Sequence, residues 1–83
     1  EEFIIVLVNT NMKKALPVAD RIVKNISEFP FSVDNNDVKM TISCGMSEYP
    51  KQSNIAQEII SYADQAMYKV KKMGGNQVMK YEV

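Results

Sequence analysis

The sequence predicts an α+β fold with the element order β-α-β-β-α-β, its helices packed on one face of a sheet. Three observations carry the prediction. Residues Phe3 to Val8 form an unbroken apolar run rich in β-branched side chains. Two later segments repeat apolar residues at helical spacing. Between them, residues 38–47 alternate apolar with small or polar side chains, the period of a strand with one buried face.

Each element has a local reason. The run Phe3-Ile4-Ile5-Val6-Leu7-Val8 is short enough for a strand, and its lack of alternation predicts that both faces are covered. Asn9-Thr10-Asn11 then supplies turn and N-cap chemistry. Ala15, Leu16, Ala19, Ile22, Val23 and Ile26 make the apolar stripe of a first helix, opposite Lys13, Lys14, Asp20 and Lys24. Pro17 falls beyond the first turn if Asn11 is the cap, so a kink or a late start is expected. Pro30 ends this helix, Phe31-Ser32-Val33 is a short strand, and Asp34 to Asp37 is a turn.

The alternating strand carries Val38, Met40, Ile42, Cys44 and Met46 on its buried side, and Pro50 stops it. The second helix opens at Ser53 or Asn54, where Asn54 and Gln57 have the spacing of a capping box. Its stripe is Ile55, Ile59, Ala63, Ala66 and Val70, Gly74-Gly75 closes it, and Gln77 to Val83 is a last strand.

Composition narrows the function. Ten acidic and ten basic residues cancel in a chain of 83, which weighs against nucleic acid or a membrane surface as partner, since both favour a basic excess. No apolar run has the length of a membrane span. The single cysteine, Cys44, forms no internal disulfide and suits a reducing cytoplasmic setting. Its place in the alternating set predicts an inert core thiol. The chain opens on Glu1 rather than Met, two residues before an apolar run, so a fragment of a longer domain is expected. There is no histidine and no Cys-x-x-Cys pair, which removes most common catalytic constellations.

Two features with possible chemistry remain. Glu1-Glu2 heads the first strand, and adjacent carboxylates there suit Mg²⁺, although such a pair taken alone is more often simply solvated. Lys69, Lys71 and Lys72 crowd the end of the second helix, where cations either complement the helix dipole or bind phosphate. The methionines Met40, Met46 and Met67 are packing residues.

Four stretches in order resemble the GGDEF domain family. Glu1-Glu2-Phe3 with its apolar run is similar to the end of a Gly-Gly-Glu-Glu-Phe motif. Asn9-Thr10, with Ala15, Ala19, Arg21 and Ile22, resembles the segment that follows it. Thr41-Ile42-Ser43-Cys44-Gly45-Met46-Ser47-Glu48-Tyr49-Pro50 resembles the family's ISxGxAxYP strand. Ala63-Asp64-Gln65-Ala66-Met67-Tyr68-Lys69-Val70-Lys71, with Gly74 and Asn76, resembles its ADxALYxAKxxGRN helix end.

The resemblance implies the C-terminal half of a GGDEF domain over residues 1–83, with the nucleotidyl cyclase, palm-like fold. It implies a cytoplasmic diguanylate cyclase that joins two GTP into cyclic di-GMP across a homodimer, with a sensory domain upstream. Glu1 would ligate Mg²⁺ and help activate the attacking hydroxyl, Glu2 would support the substrate site, and Lys71 would contact phosphate. The family's remaining metal aspartate and its guanine pocket have no counterpart in these 83 residues, so the fragment alone is expected to be inactive. The resemblance also places a further strand beside Phe3–Val8, so the isolated chain is expected to pair its strand edges with itself or with another chain.

One departure stands out. Gly75 occupies the position of the motif's arginine. Either a phosphate contact is lost, in which case Gly75→Arg would tighten GTP binding, or Gly75 is a helix cap that an arginine would strain. The loss leaves a second reading open, a degenerate GGDEF domain that binds nucleotide or partners without turnover. On the residues alone, a ferredoxin-like interaction domain is a third.

Overall fold

A computed structural model describes residues 2–82. The α+β class holds, and its centre is a β-α-β unit. Strand β3 (Ser43–Met46) runs parallel to β4 (Gln77–Lys80), and α2 (Ala56–Lys72) crosses between them. The register pairs Ser43 with Gln77 and Met46 with Lys80. Helix α1 (Met12–Glu28) also packs on this strand pair. Ala15, Ala19 and Val23 of α1, with Ala66 and Val70 of α2, are the buried apolar residues. All five belong to the predicted stripes. The N-terminal end of the α2 stripe is different, with Ile55 about half exposed.

The closest approach in this core is backbone against backbone. A Cβ on Gly45 would run into the Ala63 carbonyl oxygen and the Met67 amide nitrogen, and would lie 3.0 Å from the Ala63 carbonyl carbon. Only a residue without a side chain lets β3 lie this near α2. Ser47 strengthens the same seam, its hydroxyl donating to the Ile59 carbonyl at 2.6 Å.

Helix α1 starts where expected. The Asn11 side chain accepts from the Lys14 amide at 2.9 Å. Pro17 lies within one continuous helix that begins at Met12, so the late start does not occur. A second group caps the same end from a distance in sequence. Glu48 Oε1, in the loop after β3, accepts from the Met12 amide at 3.2 Å. Gln52 ties that loop down, accepting from the Glu48 amide at 2.7 Å and donating to the Tyr81 carbonyl at 2.8 Å. The Tyr81 ring stacks on Tyr62 with centroids 4.2 Å apart.

Further expectations differ from the structure. Residues Phe3 to Val8 form no strand. The segment has no pairing partner among the described residues, and Phe3 is 87% exposed. A lone strand has no ladder to satisfy its amides, and among the described residues the chain does not close this edge on itself. The accessible surface of 6645 Å² exceeds the roughly 5,000 Å² of a compact monomer of this mass, in keeping with such exposure.

The alternating run, second, is divided. Its start belongs to β2 (Asn36–Val38), which pairs antiparallel with β1 (Phe31–Val33), and residues 39–42 lie in neither sheet. Asp34 and Asn35 both take positive φ, at 51° and 65°, the two-residue turn that matches strand twist. This hairpin packs on no other element, so Val38 and Met40 find no core. Third, α2 begins later and is capped differently. Its cap residue is Ile55, without a side-chain cap. Ser53, not Asn54, does the local work, accepting from the Ile55 amide at 3.0 Å and donating to Glu58 at 2.7 Å. The last strand is also shorter than predicted, ending at Lys80.

Candidate functional site

The C-terminal end of α2 brings the charged candidates together. The helix closes in a Schellman arrangement: the Gly75 amide donates to the Val70 carbonyl at 2.9 Å and the Gly74 amide to the Lys71 carbonyl at 3.2 Å. Both glycines have positive φ, 107° at Gly74 and 75° at Gly75. The turn sends the chain into β4 and leaves the last helical turn facing the N-terminal segment.

There Lys71 Nζ lies 3.9 Å from Glu2 Oε2, the only ion pair among the described residues. Both side chains are more than half exposed, so the pair contributes little to stability. Glu2, Lys71, Lys72, Tyr68 and Asp64 line one open cleft. Lys72 Nζ sits over the Tyr68 ring, 4.7 Å from its centroid, a cation–π contact. A second cleft, between α1, the Glu48 loop and the end of β4, shares no residue with the first.

Of the sequence-derived site residues, the structure therefore joins Glu2 and Lys71. Glu1 lies outside the described residues. Tyr68 and Asp64 were not singled out, although Tyr68 and Lys72 stand four apart, the spacing that places two side chains on one helical face. Among the described residues no three acidic, cysteine or histidine groups gather. The one carboxylate beside Lys71 is already paired with its ammonium, and that donor set does not fit a divalent cation.

Cys44 is half-buried, and burial followed by the negative charge of Asp20 pushes its thiol above the ordinary value. Both effects disfavour the thiolate, the reactive form of a cysteine.

Gly75 has the geometry of a cap. Its φ of 75° is left-handed, and a Cβ there would lie 3.0 Å from Ser43 Oγ. Gly75→Arg is expected to lower stability by about 1 kcal/mol, read as a fall in Tm. An unchanged or raised Tm would show that the cap tolerates a side chain.

Comparison with known proteins identifies the family. The family model described as "Diguanylate cyclase, GGDEF domain" matches residues 1–77. Diguanylate cyclase A of Treponema denticola is 40% identical over 78 residues, which cover 94% of this chain and 21% of that protein. The uncharacterised protein YhcK of Bacillus subtilis is 37% identical, over 94% of this chain and 22% of its own length. Response regulator PleD of Caulobacter vibrioides is 31% identical, over 95% and 18%. The chain thus spans about a fifth of the length of these relatives. With the family model covering nearly all of its length, the chain belongs to the GGDEF domain family.

Proposed function

We propose that residues 1–83 are the C-terminal half of a GGDEF domain in a bacterial diguanylate cyclase. The observation that carries this reading is the meeting of Lys71 and Glu2 in one cleft at the end of α2. An ammonium held there is a hydrogen-bond donor for a nucleotide phosphate, and α2 carries it on a rigid element.

In the proposed reaction, two GTP-loaded domains meet as a homodimer. The 3′-hydroxyl of one GTP attacks the α-phosphorus of the other, a new O–P bond forms, and pyrophosphate leaves with the electron pair. Repetition in the other direction closes cyclic di-GMP. Lys71 binds and orients the phosphates, and Glu2 keeps its ammonium in place before substrate arrives. Glu1 would hold Mg²⁺, which supplies positive charge at the phosphates when bound. The setting is the bacterial cytoplasm, with a sensory domain upstream.

The test is to incubate the full-length protein with GTP and Mg²⁺ and to separate the products by chromatography. Cyclic di-GMP is expected, and none from the 83-residue chain alone, which would lack the second metal ligand and the guanine pocket. GTP binding without product in the full-length protein would favour the second reading, a nucleotide-responsive regulatory domain. Gly75 supports that alternative, because it provides no side chain where the motif has a cation.

A further inference from the structure

We propose that Lys72, seated on the Tyr68 ring, is a second phosphate-binding cation of the α2 cleft and replaces the contact that Gly75 cannot make. The inference rests on the reading of this cleft as a nucleotide phosphate site. Its ligand class is the di- or triphosphate tail of a nucleotide.

Four observations converge. Position 75 carries no side chain, and one there would be strained by its φ of 75° and by Ser43 Oγ at 3.0 Å from a Cβ. Lys72 lines the same cleft as Lys71 and Glu2. Its ammonium is held 4.7 Å from the Tyr68 ring centroid, a contact that restrains a flexible side chain and occupies only one side of a group with three donors. The helix end does not need that charge as a cap either. The amides of Met73, Gly74 and Gly75 already donate to the carbonyls of Lys69, Val70 and Lys71.

Successive side chains leave a helix about 100° apart, so Lys71 and Lys72 can reach one polyphosphate from two directions. Lys71 has a carboxylate 3.9 Å away, whereas Lys72 has no ion-pair partner among the described residues. An anion entering the cleft would therefore meet Lys72 without first displacing a carboxylate from it.

The experiment measures affinity for GTP and for inorganic tripolyphosphate by calorimetry in the full-length protein. Lys72→Gln is expected to weaken both by about ten-fold, the scale of one charge-assisted hydrogen bond. Lys72→Arg should keep most of the affinity, and Lys24→Gln, on the exposed face of α1, controls for net charge. Tyr68→Leu should weaken binding by about three-fold and add nothing on top of Lys72→Gln, because the ring acts only through that ammonium. If Lys71→Gln weakens binding while Lys72→Gln stays within two-fold of the control, the role of Lys72 is overturned and the site stands. If both leave affinity unchanged, the phosphate reading of the cleft fails, and this inference with it.

Discussion

Gly45→Ala is expected to remove about 3 kcal/mol of stability or to prevent folding altogether. Adding a methyl group to a packed core ordinarily costs about 1–3 kcal/mol, because side chains can move aside. Here the obstacles are the Ala63 carbonyl and the Met67 amide nitrogen of α2, and a helix backbone cannot change rotamer. Relief requires β3 to slide away from α2, which would loosen Ala66 and Val70, two of the five buried apolar residues among those described. For 83 residues, total stability on the order of 4–12 kcal/mol is usual, so this one methyl would consume a large part of it. Urea unfolding followed by circular dichroism measures the loss. A change below about 0.5 kcal/mol would mean that α2 does not lie as close to β3 as described.

The second large effect is on turnover. In the full-length protein, Glu1→Gln should lower cyclic di-GMP formation by on the order of 10²-fold or more. Glutamine keeps the size and one acceptor oxygen of glutamate but removes its charge. The folded state should hardly notice, so Tm serves as the control for a structural cause. GTP affinity measured without divalent cation should also hold, because the proposed phosphate contacts come from lysines. Undiminished turnover, in a protein that makes the product, would refute the role given to Glu1.

How legible the molecule was in its sequence depended on whether an element's partners lie near it in the chain. The stripe Ala15, Ala19 and Val23 was readable, as was the glycine end of α2, because each follows from helical period or local backbone demand. The hairpin turn was also readable, since Asp34 and Asn35 tolerate left-handed conformation. The Phe3–Val8 run misled because a strand is stable only beside a neighbour, and its composition cannot say whether one is present. The alternation from Val38 to Met46 misled for a related reason. Two short segments of the same period were served by two different partners, β1 and β4. At the candidate site, Lys71 and Glu2 came from the family resemblance, and only the three-dimensional arrangement placed Tyr68 beneath Lys72. Glu48 as a cap for α1 had no local signal at all, because its target amide lies 36 residues away.

The isolation of the β1–β2 hairpin bears on how the molecule comes apart. No element packs against it, so its backbone hydrogen bonds open without disturbing Ala66 or Val70. Such a unit detaches at a free energy set by its own turn rather than by the whole domain. The β3-α2-β4 unit, by contrast, can open only by breaking the Gly45 contact and the Ser47–Ile59 hydrogen bond together. The helical residues of the cleft, Tyr68, Lys71 and Lys72, all belong to this second unit.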